Sequence, residues 1–163
     1  MTKSIAAGSS LDPEAKEKQI GRYLRYKLAF ERLDEALSQG WLLEAISLEE
    51  SIITDRLIAV LDVHGIEVSP TQSLSNLIAQ AKRHTVGSGE RVAGDLFDEI
   101  DQWRDQRNEC VHGFCKLDDH AYTDNSAEIF ADRMWDTAAK GRELVGLARD
   151  LVREARKKKA DKG

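Results

Sequence analysis

Apolar residues recur every three or four positions along most of this chain, and glycines stand where several of these stretches stop. The spacing matches one face of an α-helix, whereas a half-buried β-strand would alternate with a period of two, which the sequence does not show. The chain contains only two prolines and no internal repeat. We therefore predict an all-α, up-and-down bundle of four to five helices.

Residues that favour helix ends divide the chain into five predicted helices. Asp12 offers an N-cap, Pro13 suits the first helical position, and Gly40 suits the position just past the end of this helix, at about residue 38. The other predicted helices cover residues 41–64, 74–84, a stretch after the flexible segment 85–89 that lasts to His112, and a stretch that opens at Asn125 with a capping box to Glu128.

Each predicted helix has an apolar face, and two of these faces contain a charged residue. The apolar positions of the first helix are Ile20, Leu24, Leu28, Phe30, Leu33 and Leu37, and those of the second are Leu43, Ile46, Ile53, Leu57, Val60 and Leu61. The third helix has Leu74, Leu77, Ile78 and Ala81, and the fourth has Val92, Leu96, Ile100, Trp103, Cys110, Val111 and Phe114. The last helix has Phe130, Met134, Ala138, Val145, Ala148 and Val152. Glu50 falls between Ile46 and Ile53. It either faces an arginine or lies in water at the edge of the face, and the cost of burying a charge favours the edge. Arg107 falls four residues after Trp103 and interrupts the face of the fourth helix.

Charge is distributed unevenly along the 163 residues. The net charge is −5, but residues 151–163 hold six basic and two acidic side chains, so that residues 1–150 are strongly acidic. We predict a flexible arm at 1–11, one helical domain at 12–155 and a basic tail at 156–163, where the tail is either a solvated helix end or a local contact for nucleic acid. No apolar run is long enough to span a bilayer and no secretory signal is present, so we expect a cytoplasmic protein without membrane contact.

Arg107, Asn108 and His112 form the one local motif with the parts for phosphodiester chemistry. An arginine can hold a phosphate with two parallel hydrogen bonds, and a histidine titrates near neutral pH. On an ideal helix Asn108 and His112 share a face, whereas Arg107 and His112 diverge by about 140°. The two therefore converge only if the last turn unwinds or if two chains share a cleft. Structural explanations also exist: Arg107 could pair with a carboxylate such as Glu50, and a histidine is stabilised at a helix C-terminus.

A second set of residues competes for His112 as zinc ligands. Cys110, Cys115 and His120 lie within eleven residues with it. Zinc ligands usually come in pairs from turns, whereas Cys110 and His112 should point to different sides of one helix. We therefore expect no metal. Because a helical chain of this size needs no disulfide to be stable, we also expect Cys110 and Cys115 to be reduced thiols.

Residues 74–112 resemble the HEPN superfamily. The similarity consists of a capped short helix containing Leu77 and Ile78, a glycine-containing link, and a helix that ends in Arg-Asn followed by histidine. The family signature is an arginine, often followed by asparagine, and then a histidine after four to six residues. Arg107, Asn108 and His112 match the four-residue form, and the similar layout covers roughly residues 12 to 155.

The resemblance implies a two-fold homodimer whose paired motifs cleave RNA in one cleft, without a metal or other cofactor. Arg107 would hold or stabilise the scissile phosphate, Asn108 would have an orienting role, and His112 would act as general acid or base on a 2′-hydroxyl. Apart from the resemblance, its position among the apolar residues of the second helix makes Glu50 a possible accessory residue. Many members are toxins of toxin–antitoxin pairs or antiviral defence components, restrained by an antitoxin that modifies a tyrosine two residues after the histidine. Phe114 occupies that position here, which argues against this mode of control. The alternative is a non-catalytic regulator or interaction module, as in the mannitol-operon regulator family.

Overall fold

A computed structural model describes residues 13–69, 71–85, 93–113 and 126–161, and these form five α-helices with no strand in the same ranges. The helices are α1 (Pro13–Gln39), α2 (Leu42–Val63), α3 (Leu74–Thr85), α4 (Ala93–Gly113) and α5 (Ser126–Asp161). The all-α prediction is confirmed. The flexible segment predicted at 85–89 starts one residue too early, because Thr85 is the buried last residue of α3. The rest of that segment, the arm at 1–11 and the cap at Asn125 lie outside the described residues.

Two glycines reverse the chain at the ends of α1 and α2. Gly40 and Gly65 have φ angles of 72° and 75°, a left-handed conformation that costs glycine little. At the first reversal the Trp41 amide donates to the carbonyl of Ala36 at 2.8 Å, so the α1 carbonyls are satisfied as the chain turns. The helix ends predicted at these glycines are therefore confirmed. At the other end of the chain, α5 continues through the basic residues as far as Asp161.

Helix α2 is the centre of the bundle and packs against all four other helices. Side-chain pairs between helices show the relative directions of their axes. Arg22 of α1 pairs with Asp55 of α2, and Lys159 of α5 donates to the Val63 carbonyl of α2. Between α5 and α4, Arg133 pairs with Glu109 and Lys140 pairs with Glu99. Arg32 of α1 also pairs with Glu44 of α2, and Glu49 of α2 contacts Gly141 of α5. Residue numbers rise together along α2 and α5 and run in opposite orders along the other pairs, so α1 and α4 are antiparallel to α2 and α5. This is an up-and-down arrangement with α3 packed beside α2 and α4.

The core contains most of the predicted apolar positions, but the face of α1 is different from the prediction. Ile20, Leu24 and Leu28 are 53%, 57% and 65% exposed. The predicted Leu33 is fully buried, and Phe30 and Leu37 are partly buried against the core. Leu33 lies on the opposite side from Leu24, because the nine residues between them turn a helix through about 180°, and Ala36 is buried with it. On α4, Val111 is also exposed, at 37%, although it was placed on the apolar face. None of the described helices is both long and apolar enough to cross a membrane.

Candidate active site at the end of helix α4

Arg107 sits at the edge of the core, where α4 faces the middle of α2. Its guanidinium forms an ion pair with Glu50, and the two side chains are only 20% and 26% exposed. Nη1 also donates a hydrogen bond of 2.7 Å to Oδ1 of Asn108. Glu50 therefore faces an arginine, and its expected place in water at the edge of α2 was wrong: the guanidinium compensates the charge that burial would otherwise penalise.

The environment holds the Arg107 guanidinium in one orientation. Burial lowers the pKa of Arg107, but an arginine remains charged at neutral pH. Nε of Arg107 is buried and lacks a hydrogen-bond partner within the described ranges. Two of the three guanidinium nitrogens are thus fixed by Glu50 and Asn108 before any ligand binds.

His112 is exposed in the last turn of α4, one residue before Gly113. No hydrogen bond within the described part of the chain joins it to Arg107 or Asn108. The structure therefore brings Arg107, Asn108 and Glu50 together and leaves His112 apart, facing solvent. The last turn remains helical to Gly113, so unwinding does not bring the arginine and the histidine together.

Apolar side chains are exposed next to His112. Val111 precedes it, and Ile129 on α5 is 55% exposed. The ring of Phe130, the neighbour of Ile129, lies 4.0 Å from the position that a Cβ on Gly113 would occupy. Both exposed apolar residues are therefore at the same end of the α4–α5 pair as the histidine.

Cys110 points away from His112 and into the core. It is fully buried as a free thiol, and its Sγ is 3.5 Å from Oγ1 of Thr137. Because His112 is exposed, these two residues do not share a ligand position in this conformation. No group of three or more His, Cys, Asp or Glu residues among those described could hold a metal. Cys115 and His120, together with Phe114, lie outside the described residues, so the zinc alternative stays a prediction.

Glu49 is a buried carboxyl group that sequence reasoning missed. It is fully buried between α2, α4 and α5, and neither carboxyl oxygen has a hydrogen-bond partner in the described ranges. Burial raises its pKa to about 9, against the opposing effect of Arg142, so the group is neutral at pH 7. A signal existed, since Leu42, Ala45, Glu49 and Ile52 follow one another at helical spacing.

The arrangement at the end of α4 can bind an anion and exchange a proton. A positioned guanidinium suits a phosphate, and an exposed imidazole can accept or donate a proton. Searches with the sequence and the structure found no match to a protein-family model, to a curated protein or to a solved structure.

Proposed function

We propose that this protein is a metal-independent endoribonuclease of HEPN type, with its active site formed where two copies meet. The observation that carries the proposal is the fixed Arg107 guanidinium, held by Glu50 and Asn108, on the same helix end as the exposed His112. These are the residue types and the order of the family motif. An all-α bundle with helices before and after the motif is compatible with the proposal.

The reaction uses the 2′-hydroxyl of RNA as the nucleophile. His112 accepts the proton of this hydroxyl, the 2′-oxygen attacks the adjacent phosphorus, and the bond to the 5′-oxygen breaks. The leaving 5′-oxygen takes up a proton from solvent water, and His112 later returns its proton to the solvent. The products are a 2′,3′-cyclic phosphate and a 5′-hydroxyl. Arg107 stabilises the charge that develops on the non-bridging oxygens, and Asn108 orients it through the 2.7 Å hydrogen bond.

A shared cleft explains the separation of Arg107 and His112 within one chain. Their directions on α4 differ by about 140°, so one phosphate cannot easily contact both from the same copy. Around a two-fold axis, Arg107 of one copy can approach His112 of the other. The exposed Val111 next to His112, and the exposed Ile129 at the same end of the α4–α5 pair, supply apolar surface for such an interface.

A ribonuclease of this kind needs restraint inside a cell, which fits a toxin or an antiviral defence component with a protein partner in the cytoplasm. Neither a metal nor another cofactor takes part in the proposed chemistry. The partner would act by covering the cleft or separating the dimer, because Phe114 offers no hydroxyl to modify.

Cleavage of single-stranded RNA in the presence of EDTA tests this function. We expect 2′,3′-cyclic phosphate ends, and we expect His112→Ala to lower the rate by about a hundredfold or more, the usual contribution of a general acid or base. His84→Ala is the matched control, because His84 is an exposed histidine on α3. Equal rates for the wild type and His112→Ala would contradict the assignment.

A non-catalytic interaction module is the second candidate. It is favoured by the ion pair between Arg107 and Glu50, which by itself can serve to join α2 and α4. Under this alternative the wild type cuts no RNA, Arg107→Ala lowers the melting temperature, and His112→Ala has no effect. Growth arrest on expression that is relieved by His112→Ala would favour the enzyme instead.

A further inference from the structure

Arginines and tyrosines line a cavity of about 180 Å³ on the side of α2 away from the motif. Its walls are Arg22, Tyr23 and Tyr26 from α1, Arg56 from α2 and Arg156 from α5. Arg56 and Glu50 are six residues apart on α2, which separates their directions by about 120° and their heights by about 9 Å. The cavity is therefore distinct from the cluster around Arg107.

Its positive charge is only partly compensated. Asp55 accepts hydrogen bonds from Arg22 at 3.2 Å and from Nε of Arg56 at 3.1 Å. Burial would raise the pKa of Asp55, but these two guanidiniums lower it below its usual value, so the carboxylate is charged. Arg156 is exposed and has no ion pair with any described residue. Arg22 and Arg56 thus share one carboxylate, and the charge of Arg156 is not compensated by an ion pair.

Further arginines and aromatic rings lie on α5 and α1 beyond the cavity, where Arg142 is paired with Asp34 and Arg149 with Asp150. Arg142, Arg149 and Arg156 recur every seven residues and span about 21 Å of α5. Opposite them, α1 presents Tyr23, Tyr26 and Phe30. The guanidinium carbon of Arg142 is 5.5 Å from the ring centroid of Phe30, and the centroids of Tyr26 and Phe30 are 4.7 Å apart.

The aromatic side chains differ in what they can offer to a ligand. The Tyr26 ring lies under the Arg56 guanidinium, 4.0 Å from its central carbon, and its buried hydroxyl has no hydrogen-bond partner in the described ranges. Tyr23, in contrast, is 65% exposed at the rim, where its ring is free to stack. Proteins that bind single-stranded nucleic acid combine positively charged side chains, which hold the phosphates, with aromatic rings on which the bases stack.

We propose that the groove between α1 and α5 binds single-stranded RNA, with a phosphate held by Arg22, Arg56 and Arg156 and a base stacked on Tyr23. The proposal rests on RNA being the substrate, and it supplies the contact surface that the acidic composition does not suggest. The length of the groove suits several nucleotides of an extended strand. Duplex RNA offers no exposed base for Tyr23, so single strands are preferred.

Fluorescence anisotropy with labelled oligouridylate of about twelve nucleotides tests this site, since that length exceeds what one groove covers. The full chain carries His112→Ala, so that the RNA stays intact. We expect Arg156→Glu and Tyr23→Ala each to weaken binding about tenfold, and Arg156→Glu to reduce the salt dependence of log K by about 0.7 or more. Both side chains are exposed, so the variants should fold, which circular dichroism checks.

Arg83→Glu is the matched control, because it makes the same charge change at an exposed position of α3 outside the cavity. Equal affinities for Arg156→Glu and Arg83→Glu would overturn the proposal, as would an absence of binding in the His112→Ala background. Displacement of the oligonucleotide by an equimolar mononucleotide would also overturn it, because one unit would then fill the site. If the wild type binds through this groove but cuts no RNA, the groove stands and the ribonuclease function falls.

Discussion

Glu49 and Gly141 fit together where α2, α5 and α4 meet. A Cβ added to Gly141 would overlap the Glu49 carboxyl group and would lie 2.9 Å from Nε1 of Trp103. The same Trp103 nitrogen donates a hydrogen bond of 2.9 Å to the Thr137 carbonyl, one turn before Gly141 on α5, which holds the indole ring in place. The missing side chain of Gly141 is therefore what leaves room for a carboxylic acid in the core.

The buried acid predicts that stability falls as pH rises. The pKa of Glu49 is raised from 4.5 to about 9 in the folded state, so the folded protein holds a proton that the unfolded chain releases. The stabilisation is complete below pH 4.5 and is lost as the pH rises towards 9, with a slope of up to about 1.4 kcal/mol per pH unit. Urea denaturation across this range should show the slope in the wild type and not in Glu49→Gln. Glu31→Gln, at an exposed position, should behave as the wild type.

Gly141→Ala should destabilise the protein despite the better helix propensity of alanine. Crowding in a packed core costs about 1 to 3 kcal/mol, which exceeds the gain of about 1 kcal/mol from replacing a helical glycine. Gly146→Ala on the same helix is the control, because a Cβ there meets nothing within 4 Å. Thermal melts should move in opposite directions for the two variants. A higher melting temperature for Gly141→Ala would show that Glu49 can move away.

The sequence pattern does not decide which of the neighbouring residues Glu49 and Glu50 is buried in the core. Glu49 and Glu50 both fall between Ile46 and Ile53 at helical spacing. The choice depends on Gly141 and Arg107, which lie on other helices and are distant in sequence. A pattern along one helix shows which residues share a face, but the shape and charge of the opposite helix determine which of them is buried.

At the scale of helices, the positions of the helix ends could be predicted from the sequence, but the buried face of α1 could not. Proline and glycine act within a few residues, and so Pro13, Gly40, Gly65 and Gly113 mark helix limits close to those in the structure. The face of α1 depends on its neighbours. Ile20, Leu24 and Leu28 recur at helical spacing as regularly as the residues that follow them. Only Leu33 and Ala36, with Phe30 and Leu37 partly buried beside them, pack into the core in the described structure.

The ion pair between Arg107 and Glu50 should stabilise the packing of α4 against α2. A double-mutant cycle with Arg107→Ala and Glu50→Ala is expected to give a coupling of about 1 to 2 kcal/mol, because both side chains are mostly shielded from water. The control cycle uses Lys27 and Glu31, an exposed pair on α1 with a spacing of four residues, for which about 0.3 to 0.5 kcal/mol is expected. Similar couplings for the two pairs would mean that the Arg107 pair has no special structural role.

At the scale of the molecule, the two surfaces proposed to be functional lie on different sides of α2. The motif is at the end of α4, and the arginine groove lies between α1 and α5. The sequence gives the basic residues of α5 and the tyrosines of α1 separately, and only the antiparallel packing of these helices brings them together. The net charge of −5 describes the whole chain and hides this local concentration of arginines.

The shared cleft predicts that two inactive variants can restore activity in one dimer. If Arg107 of one copy works with His112 of the other, a dimer of Arg107→Ala with His112→Ala contains one site with both residues intact and one with neither. When equal amounts of the two variants form dimers at random, half of the dimers are mixed. Each mixed dimer has one intact site instead of two, so about a quarter of the wild-type rate should return. The rate of RNA cleavage is measured after the two proteins are mixed, unfolded and refolded together.

The control for this experiment mixes each inactive variant with itself, which should remain inactive. A mixture of Arg107→Ala and His112→Ala that stays as inactive as these controls, although mixed dimers form, would place both residues of a site in the same chain. Val111→Asp adds an independent check, since a charge in the apolar surface beside His112 should separate the copies. Size-exclusion chromatography with light scattering should then show monomers, and cleavage should be lost with the dimer even though Arg107, Asn108 and His112 are unchanged.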